Sequence, residues 1–142
     1  DKQALRFAEK QVWPMRSLLE IKLLIDGGLF STALGKIQNI DKKQLGETQN
    51  VLEYNFRYGR IFEELTNHEK ALLFYNATIQ IGRSRKEYFA ARAALHKGFI
   101  YERQGERDKA IDAFMDCLSM RHHDFQTSID QLAKAGLNRL GK

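Results

Sequence analysis

The residue types able to bind a metal or attack a carbonyl gather near the end of this chain. Arg121-His122-His123-Asp124 comes shortly after Cys117, and His96 lies upstream. Imidazole, thiolate and carboxylate are zinc ligands. Adjacent His122 and His123 point to different sides of a helix, however, and no second spaced cluster accompanies them. The stretch reads as a loop with exposed histidines and no metal. Cys117 lacks a fixed partner base and reads as a packing thiol rather than a nucleophile. Glu63 and Glu64 are neighbouring acids on one helix; they point apart and form no catalytic dyad. No phosphate-cradling glycine loop, helical zinc-protease motif or nucleophile elbow occurs. The expectation is a chain that is not an enzyme and takes no cofactor.

The chemistry that remains is recognition, by arginine forks beside aromatic rings. The 142 residues carry a net charge of +5, with 43% hydrophobic and 29% charged side chains. Such a chain buries a core, stays soluble, and attracts acidic partners in a general way. Nine Phe, five Tyr and one Trp argue against disorder, and one proline leaves room for long helices. The densest basic stretch, Arg83-Ser84-Arg85-Lys86, reads as a solvated loop between helices. With Cys117 as the sole cysteine, no internal disulfide forms, and no stretch approaches the length of a membrane span. The chain starts at Asp1 without a methionine, so it is expected to be a fragment from which a targeting segment has been removed. Nothing here identifies a compartment or an oligomeric state.

The elements that position these groups come in copies. Shifted by 39 residues, Gly59-Arg60-Ile61-Phe62-Glu63 falls on Gly98-Phe99-Ile100-Tyr101-Glu102, and Glu69-Lys70-Ala71-Leu72 falls on Asp108-Lys109-Ala110-Ile111. Tyr75 then matches Phe114, Thr78 matches Cys117 and Ile79 matches Leu118. A degenerate upstream copy, offset by 38, sets Leu24 on Phe62, Gly28 on Thr66, Ala33 on Ala71 and Ile37 on Tyr75, with Ile21 in place of the glycine. Each copy reads as two helices at i, i+3/i+4 apolar spacing, joined at Gly27-Gly28, Thr66-Asn67 or Gly105. Glu106 and Asp108 belong to the first turn of the last second helix, at its positive end. Pro14 opens the first helix of the first copy, and Trp13 is a packing anchor. Met115 and Met120 fit ordinary helix packing.

Small residues recur where two helices cross. Gly59 is expected to nest against Ala71, and Gly98 against Ala110, with Phe62 and Tyr101 filling the space beside them. A change such as Gly98→Leu should overpack the crossing, at a cost of about 1–3 kcal/mol. The boundaries are an N-terminal helix over 1–12 left from a preceding repeat, pairs over 14–40, 48–82 and 87–121, and a capping helix over 127–141 started by the polar Thr127-Ser128. That last helix carries Leu132, Ala135, Leu137 and Leu140.

The pattern Gly98, Tyr101, Gly105, Ala110, Phe114, Cys117, repeated as Gly59, Phe62, Thr66, Ala71, Tyr75, Thr78, resembles the tetratricopeptide repeat family over roughly residues 15–120. The tail from His123 to Leu140 is similar to the segment after the final repeat in some bacterial proteins of this type. The family's closing proline is absent, and the spacing exceeds its usual period of about 34. The resemblance implies an all-α, right-handed α-α superhelix of antiparallel hairpins that acts as a protein–protein interaction scaffold. It implies a concave groove lined by the first helices, here Lys22, Glu53, Phe56, Arg57, Arg60 and Glu63, with Arg92, His96, Phe99, Glu102 and Arg103. The arginines suit an acidic or carboxylate-bearing peptide, while the same charges are equally readable as a solvated helix face. A nucleic-acid-binding helical repeat and the docking or sensor arm of a larger protein stay open as alternatives; mixed acids in every helix make nucleic acid the poorer fit.

Overall fold

The computed structural model describes residues 16–142. The segment 1–12, Trp13 and Pro14 lie outside the described residues. Within the described residues seven α-helices succeed one another: α1 (16–26), α2 (Phe30–Gln38), α3 (Thr48–Glu64), α4 (His68–Gly82), α5 (Phe89–Arg103), α6 (Arg107–Ser119) and α7 (Gln126–Arg139). A 3-10 turn, Lys42–Gln44, connects α2 to α3. No strand occurs among the described residues.

Apolar spacing accounts for each helix. α1 buries Leu18, Ile21 and Ile25, α2 buries Ala33 and Ile37, and α6 buries Ala110, Phe114 and Cys117. These are one-sided stripes facing a neighbour. α3 differs, because it is buried on two sides: Tyr54 and Ile61 join the α1–α2 core, while Leu52 and Phe56 join the core shared by α4 to α7. It is the element that welds the first pair to the rest. Each odd-numbered helix from α3 packs on the even helix after it and on the next odd helix, α3 on α5 and α5 on α7.

The turns explain the hairpins. α1, α3, α5 and α7 end in one motif, with a left-handed residue at Gly28 (φ 78), Thr66 (φ 61), Gly105 (φ 73) and Gly141 (φ 81). At each end the next amide reaches back five residues: Leu29 to Leu24, Asn67 to Phe62, Glu106 to Tyr101 and Lys142 to Leu137, at 2.8–2.9 Å. This caps the last carbonyls and reverses the chain. Thr66 adopts the strained conformation with a β-branched side chain, which costs roughly 1–2 kcal/mol. Asn67 then opens α4, its side chain accepting from the Lys70 amide at 3.2 Å.

Several sequence expectations change. Glu106 is the residue before α6 and caps nothing with its side chain; Asp108 alone is the acid of that first turn. Thr127 and Ser128 do not cap α7. The helix starts earlier, after Phe125 in a left-handed conformation (φ 57), and the Gln126 side chain accepts from the His122 amide at 2.6 Å. The buried face of α7 is Ile129, Ala133, Gly136 and Leu137, so Leu132 and Ala135 face solvent. Met120 is buried, but Met115 is exposed.

The glycines also have a different partner. A side chain at Gly59 would strike the ring of Tyr75, and one at Gly98 would strike the ring of Phe114. The bare backbone seats an aromatic ring, four residues beyond the alanine expected to fill that role. Gly136 on α7 meets the same Phe114 ring at 2.6 Å, so this ring lies between two glycines of two helices. Gly35, by contrast, has nothing within 4 Å of its missing side chain. Chemical denaturation separates the two kinds of glycine. Gly98→Ala is expected to lose stability, and Gly98→Leu more, whereas Gly35→Ala should gain about 0.5–1 kcal/mol from helix propensity alone.

Candidate functional site

The chemistry-bearing residues converge on one carboxylate. Glu63, near the end of α3, has a side chain only 1% exposed. Four groups reach it. The Tyr75 hydroxyl of α4 donates to Oε1 at 2.6 Å, and His96 Nδ1 of α5 lies 3.0 Å from the same oxygen. Arg60 Nη1 approaches Oε1 at 3.4 Å, and Arg103 Nη1 donates to Oε2 at 3.1 Å. The Arg60 guanidinium also takes Glu64 Oε1 at 3.0 Å, so it bridges the two neighbouring acids.

Helix geometry makes this convergence possible. Tyr75 comes from the ring seated on Gly59, which carries its hydroxyl to the next turn of α3. His96 and Arg103 lie two turns apart on α5, on the side that packs against α3. The His96 ring stacks on Tyr75 at 5.7 Å and meets Phe56 and Phe99 edge-on at 5.9 and 5.4 Å.

Electrostatics fixes the protonation. Burial alone would raise the Glu63 carboxyl; the His96 and Tyr75 hydrogen bonds and the Arg60 charge overcome it and hold the group at about 2. Burial lowers His96 below its ordinary value despite Glu63, so the imidazole is neutral near pH 7 and its contact is a hydrogen bond to a carboxylate. Burial and the Glu63 charge push Tyr75 well above the usual phenol range, which keeps the hydroxyl a donor. A carboxylate saturated in this way is an inter-helix tie, joining α3, α4 and α5.

The expected groove set therefore divides. Phe56, Arg57 and Glu63 are interior rather than groove-lining, because α3 is covered on two sides. Arg57 pairs with Glu53 at 2.9 Å and lies over Phe56 and Phe89. Phe99 is half-buried between His96 and Phe114. Glu102 takes Arg139 of α7 through two bonds, at 3.0 and 2.8 Å. Lys22 stands apart on α1, paired with Asp26 at 3.0 Å. Arg92 is half-buried, and the Arg103 side chain remains 55% exposed.

A hollow of about 550 Å³ opens instead between α1, α3 and α5. It is lined by Arg16 and Leu19 of α1, Gln49, Asn50 and Glu53 of α3, and Glu87 and Phe89 at the start of α5. Of these, only Glu53 was among the residues projected from the sequence. Leu19 is 54% exposed, and Leu23, one turn on, 59%. These two leucines were the available signal, because they fall outside the Leu18, Ile21, Ile25 stripe of α1.

The other chemical candidates are quiet. Cys117 is wholly buried; burial first, then Asp130 and Asp116, pushes its thiol to about 12. No group of three or more His, Cys, Asp or Glu side chains among the described residues is arranged to hold a metal. No described helix is long and apolar enough to cross a membrane.

The Glu63 tie has a pH signature. Its folded value lies below the ordinary 4.5, so its contribution is complete above that value and lost as pH falls toward 2. The shift corresponds to roughly 3 kcal/mol. His96 acts in the same direction, losing its contribution as pH falls below its ordinary 6.5 and through the lowered folded value. Urea unfolding of the wild type and Glu63→Gln should differ by about 3 kcal/mol at pH 7, and the gap should shrink by more than half near pH 3. A gap that stays constant with pH contradicts a depressed Glu63.

Comparison with protein-family models gives one match, to the tetratricopeptide repeat, over residues 91–122. Curated proteins and solved structures give no match. The matched segment is the α5–α6 hairpin with its glycine-seated ring. Repeats of this family are non-catalytic and generally mediate protein–protein interaction, binding proteins or peptides. The matched hairpin, its sequence copy in α3–α4 and the sequential packing of the seven described helices support a helical repeat protein of the tetratricopeptide type.

Proposed function

We propose that this protein is an interaction scaffold that holds a peptide or partner helix against its odd-numbered helices, over the hollow between α1, α3 and α5. The hollow itself carries the reading. Three successive first helices contribute to its lining, which includes exposed Leu19 and buried Phe89. An apolar partner side chain gains by covering that lining. Gln49 and Arg16 in the lining offer hydrogen bonds to the partner backbone or to an acid.

The preference for an acidic or carboxylate-bearing partner rests on a smaller set of cations than the sequence suggested. Arg57 and Arg60 are committed to Glu53, Glu63 and Glu64, and Arg139 to Glu102. In this reading Arg16, Arg92 and the exposed part of Arg103 are guanidiniums that a ligand over this face would meet. The partner in this reading presents one apolar anchor with an acid beside it, rather than a long acidic run.

Selection from a random peptide library on the immobilised protein tests this directly. Recovered sequences should share an apolar residue next to Asp or Glu. Calorimetry should show binding weakened at least tenfold (about 1.4 kcal/mol) by Leu19→Glu with Arg16→Glu, and unchanged by Leu73→Glu on exposed α4 surface. Peptides that bind the double variant as well as the wild type contradict the proposed face.

A further inference from the structure

The two best-matched helix pairs differ in one place that leaves a hole. Between α3 and α4, Phe74 stacks on Tyr58 at 4.4 Å and on Phe62 at 5.9 Å, and Lys70 lies over Phe62 at 5.3 Å. The 39-residue offset carries Tyr58, Phe62, Lys70 and Phe74 onto Lys97, Tyr101, Lys109 and Ala113. The lysine–aromatic contact survives, with Lys109 over Tyr101 at 5.8 Å. The ring that filled the middle is gone, and a crevice of about 460 Å³ opens there, lined by Ala94, Lys97, Tyr101, Lys109, Asp112, Ala113 and Asp116.

The crevice belongs to a different part of the molecule from the hollow. Ala94, Lys97 and Tyr101 lie on the side of α5 opposite His96 and Arg103, which face α3. Its charges are unevenly satisfied. Asp116 gives both oxygens to Arg83, at 2.8 and 3.0 Å. Lys97 has no carboxylate within ion-pair reach among the described residues, and burial lowers its ammonium below the ordinary value. A half-buried cation beside an aromatic wall and two alanines is a poor site for an aliphatic group. It is a good one for a ring, whose face attracts the ammonium.

We infer that the α5–α6 crevice is a docking site for an aromatic side chain of a partner polypeptide, lying against Tyr101 and Lys97 as Phe74 lies against Phe62 and Tyr58. The choice of occupant comes from the internal copy, where the group that completes the same framework is a phenyl ring presented by a helix. Tyrosine and tryptophan, with electron-rich faces, suit the Lys97 ammonium best. This contact is independent of the hollow, so a partner able to reach both would grip α5 from two sides.

Amide chemical shifts read the site directly. Titration with N-acetyltryptophanamide and N-acetyltyrosinamide should move the amides of Ala94, Lys97 and Ala113, while N-acetylleucinamide should leave them in place. Lys97→Gln should weaken the aromatic probes about twofold or more. Ala113→Phe should restore the stack of the preceding pair, melt no lower than the wild type, and abolish the shifts. Leu19→Glu should leave them unchanged, which separates this site from the hollow. Absence of shifts, equal shifts from the leucine amide, or shifts that persist in a folded Ala113→Phe protein overturn the inference.

Discussion

Tyr75 is the side chain on which the rest of the structure turns. Its ring needs the missing side chain of Gly59, and its hydroxyl needs the carboxylate of Glu63 one turn further along α3. The first contact fixes how closely α4 approaches α3. The second brings a negative charge into the interior, and an uncompensated buried charge is strongly destabilising. Compensation comes from Arg60 on the same helix and, from the next pair, from the Arg103 cation and the His96 hydrogen bond. One packing choice within a hairpin therefore obliges the next hairpin to lie alongside.

The Phe114 ring does the same work without polarity. It has no hydroxyl to satisfy, and it lies between Gly98 of α5 and Gly136 of α7. α7 ends in the same left-handed turn as α1, α3 and α5, and it packs on α5 and α6 as α5 packs on α3 and α4. It thus occupies the position of a further first helix, besides covering the apolar surface of α6. Gly136 lies 38 residues after Gly98, the spacing that related the first two copies. The sequence held that signal, but without the ring contact it was one glycine among ten.

The fold was legible because helix-pair repeats write the same packing instruction several times. A small residue, an aromatic three later, a turn and an alanine recur at Gly59, Phe62, Thr66 and Ala71, and again at Gly98, Tyr101, Gly105 and Ala110. Periodicity shows which residues face a partner helix, not which partner atom they meet, so it points to the alanine and not to the ring four residues on. The site was less legible for a related reason. Phe56, Arg57 and Glu63 lie on the expected side of α3, yet neighbours cover α3 on two sides. A single helical wheel cannot count neighbours. Glu63 reads as surface charge in the sequence because its partners Tyr75, His96 and Arg103 come from other helices. The hollow is not legible in the sequence, because Leu19 and Phe89 lie away from the glycines that mark the repeat.

Departures from the repeat pattern are where the two proposed recognition sites lie. Leu19 is an apolar residue outside the core stripe of its helix, and Ala113 is a ring removed from a framework that otherwise persists. The Tyr75–Glu63 contact ties α4 to α3, and the same carboxylate joins both to α5, the helix that lines the hollow and the crevice. A double-mutant cycle of Tyr75→Phe and Glu63→Ala, read by urea unfolding at pH 7, measures that contact directly. A coupling of about 1.5 kcal/mol or more is expected for a buried hydrogen bond to a charged group. Effects that simply add, within about 0.5 kcal/mol, would mean the two side chains do not hold the pairs together.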